Sequence, residues 1–539
     1  MTANAAKIVV AWTGDGEPMA EDRTVSGTTR RLNAYEADIL AEALAARMQP
    51  GDLVLLEGEI GAGKSHFARA LIRALADDEG LEVPSPTFTL VQPYALRMPV
   101  LHVDLYRITD PFEVDELGLE DALDAGIVLA EWPSRAVGAL PHASATLTIT
   151  ISATPGDAET RTYDFAADAG FADRMGRLWE VEAFLEEAGW ASAHRHHVIG
   201  DASTRRYERL VRGQAHAILM DAPEPVSVPP RVQVAVDIAN PPRPGSPDYA
   251  AAVGLAPKLS AFLGIGQTLH ARGLGTPAIL ATDLAGQTAL LEDFGSATIA
   301  ESGHAVPARY EAAMDLLARI HGEAWPETVV FASASHSLPL YDVDAFTAEL
   351  AQFHAWYVPR HGGSGEPLAF LTAWQGALRP ALDRCDTSWV LRDYHAPNLM
   401  WRADRKGLDR VGILDFQDAL IGPAAYDVAS LAQDARTDMD EGLSDALLQR
   451  YLAARAEEAG FDAEAFTAMY WLMGAQRATK VLGAFVRLAV DAGKPGYLDH
   501  LPRVANHLRR CLAQPVLETL RPHYKGVGLE NVGTLRPDD

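Results

Sequence analysis

Gly58-Glu59-Ile60-Gly61-Ala62-Gly63-Lys64-Ser65 follows the apolar run Asp52 to Glu57 (DLVLLE) and opens a stretch of helical spacing from Ser65 to Ala76. It meets the pattern G-x-x-x-x-G-K-[ST] at every fixed position, and a strand before it with a helix after it is the context that gives the string meaning. The glycines let backbone N–H groups close around phosphate oxygens, while the helix N-terminus adds partial positive charge there. In such a cradle Gly58, Gly61 and Gly63 shape the loop, Lys64 neutralises the β- and γ-phosphates of ATP, and Ser65 ligates Mg²⁺.

Outward from the loop, Pro99 to Asp104 and Ile127 to Glu131 are further short apolar runs, and Ala145 to Ile151 alternates like a strand. Short buried strands separated by helices predict an α/β P-loop NTPase domain with a mostly parallel sheet and helices on both faces. Three polar strings lie just past apolar runs: Ser85-Pro86-Thr87-Phe88-Thr89-Leu90-Val91, His102-Val103-Asp104-Leu105-Tyr106-Arg107 and Glu131-Trp132-Pro133. In an open parallel sheet that places them at the strands' carboxyl ends, where nucleotides bind. Asp104 and Glu131 are therefore candidates for metal contact or water positioning. Trp132 either stacks on a base or packs under a loop.

GEIGAGKS, SPTFTLV, HVDLYR and EWP, in this order and spacing, resemble the TsaE family over about residues 28–165. The resemblance implies ATP hydrolysis in a complex with TsaB- and TsaD-like proteins, supporting threonylcarbamoyladenosine formation on tRNA, with tRNA met only through that complex. It also implies that Lys64 and Ser65 hold phosphate and Mg²⁺, that Glu131 assists the metal, and that Asp104, Thr87 and Thr89 lie near the γ-phosphate. Ser65 and Glu59-Ile60 depart from the more usual Thr and Asp-Leu.

A second constellation stands far downstream. Leu391-Arg392-Asp393-Tyr394-His395-Ala396-Pro397-Asn398 sets an Asp five positions before an Asn, and Asp415 follows in Gly412-Ile413-Leu414-Asp415-Phe416. Phosphoryl transfer needs such a set: Asp393 orients the acceptor hydroxyl and takes its proton, while Asn398 and Asp415 coordinate Mg²⁺ on the ATP phosphates. Upstream, Gly200-Asp201-Ala202-Ser203 stands where a phosphate-covering hairpin belongs, with Ser203 as its contact. Leu290-Leu291-Glu292-Asp293-Phe294-Gly295 reads as a hinge whose backbone, at Glu292 and Phe294, holds adenine or simply turns.

Pro-rich, strand-like pieces at 198–297 followed by largely helical spacing at 298–539 predict a small α+β lobe before a large helical one, and with the Asp393, Asn398 and Asp415 set this reads as a two-lobed, protein-kinase-like α+β phosphotransferase domain. Residues 166–197 read as a helical connection ending in His194-Arg195-His196-His197, a solvated boundary or strand start. Residues 1–27 read as a loosely ordered N-terminus. GDASTRRYERL, LLEDFG, ARIH, RDYHAPNLM and ILDFQDALIGPAAYDVASL resemble the aminoglycoside phosphotransferase/choline kinase superfamily. The nearest branch is the AmgK-like kinases, which implies transfer from ATP to the C1 hydroxyl of an amino sugar, N-acetylmuramate or N-acetylglucosamine, in peptidoglycan recycling. The alternative is an aminoglycoside or choline acceptor, with the P-loop half a nucleotide-gated interaction module. The third-strand candidate, AHAILMDAP, lacks the lysine of protein kinases. Arg477 and Lys480 share a helix face and either meet an anionic sugar or pair with carboxylates.

Composition bounds these readings. The 539 residues are 48% hydrophobic and carry a formal charge of −27, which disfavours broad grip on a phosphate backbone. Two distant cysteines, Cys385 and Cys511, exclude a disulfide scaffold and suit a reducing compartment. With no run of about 18 apolar residues, the chain reads as cytoplasmic with no membrane span.

Overall fold

The apolar run before the phosphate loop is a buried strand, β2 (Asp52–Glu57), in which Leu53, Val54 and Leu56 are all shielded from solvent. In this computed structural model residues 25–198, 205–223, 236–256, 258–529 and 532 are described. Most of the segment 1–27, together with Ser203, lies outside them. β2 is central to a seven-stranded sheet made with β1 (Val25–Leu32), β3 (Val91–Tyr94), β4 (Val100–Asp104), β5 (Ile127–Glu131), β6 (Ala145–Thr154) and β7 (Asp157–Ala167). The order is β1-β7-β6-β2-β5-β4-β3. β6, β2, β5 and β4 run parallel, and antiparallel pairing at β3 and β7 finishes both edges. The sheet is thus parallel where the polar strings sit.

Alternation along β2 and β5 splits the core in two, as the two-residue period of a strand requires. Val54, Leu56, Ile127 and Leu129 join one cluster with helices α1 (Ala34–Ala45) and α2 (Lys64–Ala76). Leu53, Val128 and Ala130 join the other, with α3 (Leu119–Ala125).

The chain divides into two compact units, Met1–Asp221 with Thr288–Leu290, and Ala222–Gln287 with Leu291–Asp539. The first therefore extends beyond the P-loop sheet. It includes α4 (Ala169–Glu187), β8 (His194–Val198), β9 (Arg206–Arg212) and β10 (Ala215–Asp221). His194 to His197 are strand β8, with His194 Nδ1 2.9 Å from Glu42.

A buried ion cluster ties these strands to the rest of the first unit. Arg195 clasps Glu208 at 2.7 and 3.1 Å and also pairs with Glu182, while Arg177 holds Asp221 at 2.6 and 2.9 Å. Between them, Arg47, whose side chain is fully shielded, reaches Glu208 at 3.5 Å and Asp221 at 3.4 Å. Both contacts are long, and Arg47 Nε has no partner. Burial dominates and lowers the Arg47 pKa despite those carboxylates. Since each carboxylate keeps a second arginine, Arg47→Met should cost at most about 1 kcal/mol of stability, whereas Arg47→Ala, which adds a void, should cost about 3 kcal/mol. Urea unfolding of the full chain checks the order; equal losses would mean that charge alone matters at Arg47.

In the second unit the helix Ala463–Val490 runs against helices Ala425–Ala432 and Val343–Gln352. Beside them two hairpin-like pairs carry the Asp393 string: Thr387–Val390 with Leu420–Pro423, and Leu399–Trp401 with Val411–Ile413. The strand leading into Asp415 stops at Ile413, because Asp415 adopts φ +56°, which ends extended pairing. Among the described residues no helix is long and apolar enough to cross a membrane.

Candidate active sites

Parallel pairing puts the ends of β4 and β5 side by side, with Asp104 opposite Glu131. Ser65 Oγ donates to Glu131 Oε2 at 2.8 Å, and His102 Nε2 lies 3.0 Å from Glu131 Oε1. Thr87 Oγ1 donates to Asp104 Oδ2 at 2.8 Å, and the Tyr106 N–H donates to Oδ1 at 3.0 Å. Both strand-end carboxylates are therefore buried and held in fixed orientation beside the glycine loop. Gly63, at φ +113°, precedes α2 with no side-chain cap, so that helix presents open N–H groups at the loop. Gly58, at φ +147°, is required by space, since a Cβ there would lie 2.3 Å from the Ile151 carbonyl oxygen.

Lys64 is 4% exposed. Its Nζ donates to the Gly58 and Glu59 carbonyls at 2.7 and 2.9 Å and sits 3.5 Å from the centre of the Trp132 ring. Burial lowers its pKa, and Glu131, Glu57 and Asp104 oppose that shift in part. Trp132 packs against Lys64 and, at 5.0 Å, the Tyr106 ring. Lys64, Ser65, Glu131 and Trp132 are thus brought together, with Thr87 and Asp104 one strand further. Gly61 lies in the same loop at φ +78°. His102 stands in the quoted string but only its contact with Glu131 gives it a role. A histidine inside an otherwise apolar strand, two residues before an acid, was the available signal.

The second set is assembled by the two strand pairs. Asn398 ends a short helical turn (Ala396–Asn398) just before Leu399–Trp401, and its carbonyl accepts the Leu414 N–H at 2.9 Å. Its side-chain Nδ2 lies 3.0 Å from the Asp393 carbonyl and 3.3 Å from Asp415 Oδ2. Gln417 Nε2 donates to Asp415 Oδ1 at 2.6 Å. Asp393, Asn398 and Asp415 therefore share one hydrogen-bonded corner.

The loop bearing Asp393 is braced from below. Asp427, fully buried, accepts the Leu391 and Arg392 N–H groups at 2.5 and 2.9 Å. Arg392, at φ +71°, sends its guanidinium to Glu349 Oε1 at 2.6 Å, and Lys480 Nζ meets the same oxygen at 2.8 Å. Tyr341 and Gln476 donate to Glu349 Oε2. Burial alone would raise the Glu349 pKa, but Lys480 and Arg392 outweigh it and bring it down to about 2. Asp393 behaves alike: desolvation is outweighed by His395, Lys480, Arg392 and Arg477, so the carboxyl stays below its ordinary value. Burial pushes the His395 imidazole down to about 4. Glu349 was not legible in advance, for it lies in an apolar helix more than 40 residues from the loop it anchors.

The hinge residues are engaged otherwise than by side-chain freedom. The Glu292 side chain accepts the Ala278 N–H at 3.1 Å and an Arg402 N–H at 3.1 Å, and its own N–H donates to the Ala278 carbonyl at 2.9 Å. Phe294 covers Gly412, where a Cβ would approach its ring to 2.6 Å, and lies 4.2 Å under the Arg402 guanidinium.

Comparison with known proteins follows this division. Residues 32–162 match the family described as threonylcarbamoyl adenosine biosynthesis protein TsaE, and residues 196–461 match the phosphotransferase enzyme family APH. Over 349 residues the chain is 37% identical to the N-acetylmuramate/N-acetylglucosamine kinase of Caulobacter vibrioides, covering 64% of this chain and 94% of that protein. The chain belongs to the N-acetylmuramate/N-acetylglucosamine kinase family, with a TsaE-family domain joined in front. The tRNA threonylcarbamoyladenosine biosynthesis proteins TsaE of Rickettsia felis and Rickettsia bellii are 43% and 42% identical to it, over 19% and 18% of this chain. It spans 58% and 67% of those two proteins. The kinase half is a phosphotransferase of an ATP-using family, and the TsaE-family half carries the P-loop geometry of an ATPase.

Proposed function

We propose that the kinase half transfers the γ-phosphoryl group of ATP to the C1 hydroxyl of N-acetylmuramate or N-acetylglucosamine, serving peptidoglycan recycling. The TsaE-family half hydrolyses ATP in support of tRNA threonylcarbamoyladenosine synthesis. The observation that carries the first reading is the hydrogen-bonded corner of Asp393, Asn398 and Asp415 in a chain that covers 94% of such a kinase at 37% identity. Asp393 takes the acceptor proton, and Asn398 with Asp415 holds Mg²⁺ on the nucleotide. In the other half, Lys64 meets the phosphates, and Ser65 with Glu131 holds Mg²⁺. Asp104 and Thr87 stand by the attacking water.

The donors fit that ion in kind, for hydroxyl, amide and carboxylate oxygens are what Mg²⁺ prefers. Among the described residues no three His, Cys, Asp or Glu side chains converge as a complete metal cage. Phosphates and water would therefore supply the remaining ligands. When bound, the metal neutralises charge on the transferring phosphoryl group.

We assign the ATPase to residues 28–165 and the kinase to 198–539, joined through 166–197. TsaB- and TsaD-like proteins are the partners of the ATPase half, and the charge of −27 supports meeting tRNA through them and not directly. ATP, tRNA and unpaired cysteines together support a cytoplasmic site of action. The test offers N-acetylmuramate, N-acetylglucosamine, choline and kanamycin separately to the purified chain with Mg·ATP. Sugar 1-phosphate should form from the two sugars; phosphorylation of choline or kanamycin alone would leave only the superfamily assignment standing.

A further inference from the structure

Arg477 and Lys480 stand one turn apart on the helix Ala463–Val490, and their surroundings separate them. Lys480 is committed to Glu349, sharing that carboxylate with Arg392. Arg477 is 7% exposed and makes no hydrogen bond or ion pair among the described residues. Its nitrogens are not among the fully buried polar atoms, so a guanidinium that is mostly enclosed keeps a narrow opening to solvent with no anion at it, an arrangement that leaves charge open to an anion from outside the protein.

Of the carboxylates that feel its charge, Asp434 is already taken and Asp393 stands at the reaction centre. Asp434 accepts the Tyr310 hydroxyl and the N–H groups of Ala396 and Arg436, at 2.9 to 3.1 Å. Asp427 holds the loop N–H groups, and Glu349 holds two cations. Inside the core Arg477 lines, with Gln433, His507 and apolar side chains, a cavity of about 10 Å³, room for one water at most. No carboxylate lies there. Toward the reaction centre, its charge acts on Asp393 and His395.

We propose that Arg477 is a specificity-determining residue that pairs with a carboxylate on the acceptor sugar. N-acetylmuramate carries such a group on its lactyl ether; N-acetylglucosamine, otherwise the same sugar, does not. The inference rests on the sugar-kinase reading above. It assigns the lysine a structural task and the arginine the recognition, where the shared helix face alone makes them equivalent. A planar guanidinium suits a carboxylate because two N–H groups can meet two oxygens at once.

The test compares kcat/KM for N-acetylmuramate, its neutral methyl ester and N-acetylglucosamine, first in the wild-type chain. The ester should be poorer than the free acid by roughly 10- to 100-fold, the range of a charge-assisted contact. In Arg477→Gln the acid should lose that advantage over the ester, and its kcat/KM should fall at least about tenfold more than that of N-acetylglucosamine. Arg477→Lys should retain part of the preference. Equal use of acid and ester by the wild type overturns the inference without needing a folded variant. So does an equal fall on all three acceptors in Arg477→Gln, which would confine the guanidinium to its field on Asp393 or to the transferred phosphoryl group. A wild-type chain that phosphorylates none of the three sinks the sugar-kinase reading itself, and this inference with it.

Discussion

Asp393→Asn should lower sugar phosphorylation by about 10³-fold in kcat while leaving the apparent KM for ATP within about threefold. The substitution is nearly isosteric. The loop it sits in is held by Asp427 on the Leu391 and Arg392 N–H groups and by Glu349 on the Arg392 guanidinium, none of which involves the Asp393 side chain. Asn398 grips the Asp393 carbonyl, a backbone atom that Asn keeps. What disappears is the proton acceptor. The carboxyl is held below its ordinary pKa, and with His395 neutral at pH 7 the field that keeps it ionised is that of Lys480, Arg392 and Arg477. Its side chain remains 43% exposed, so an acceptor hydroxyl can reach it. Rates of sugar 1-phosphate formation, with ATP affinity from the same assay, decide the matter. A variant within tenfold of wild type would remove Asp393 from the role of base and leave orientation of the acceptor as its whole contribution.

The features that announce chemistry in this chain are local in sequence, and those were legible. The glycine loop, β2 before it and α2 after it lie within 25 residues, and β4 and β5 were bounded within one residue because each is a short apolar run closed by an acid. Asp393, Asn398 and Asp415 were legible as a spacing. What stayed hidden depends on partners distant in sequence. Arg477 and Lys480 look equivalent on their helix; only Glu349, about 130 residues earlier, tells them apart. The same holds in the first unit. Arg47 lies just past the end of α1, yet it meets Glu208 and Asp221, more than 160 residues downstream. Neither contact has a periodicity to betray it, since a buried ion pair interrupts the apolar pattern on both sides at once. The sheet edges escaped for another reason: alternation at Ala145 to Ile151 announces a strand, but antiparallel pairing with β7 is fixed by the turn between them and not by either strand's pattern.

Lys64→Ala should abolish the other activity and spare this one. Lys64 closes the glycine loop, buried and held by two loop carbonyls and the Trp132 face, and under the proposed function its ammonium exchanges those partners for phosphate oxygens. Truncation removes a preorganised positive charge from a shielded site, a loss worth roughly 10²- to 10³-fold in turnover. Ser65 and Glu131 keep their own 2.8 Å hydrogen bond without it, so the variant tests charge more than architecture. ATP hydrolysis should be measured in an Asp393→Asn background, so that the kinase half contributes nothing, with and without TsaB- and TsaD-like partners. The expected outcome is at least about a 10²-fold loss under both conditions. In the otherwise wild-type chain, sugar 1-phosphate formation by Lys64→Ala should stay within about twofold, because Asp393, Asn398 and Asp415 belong to the other compact unit. A parallel fall in both activities would require the two nucleotide sites to act as one, since a lost charge beside the P-loop has no direct path to the acceptor proton on Asp393.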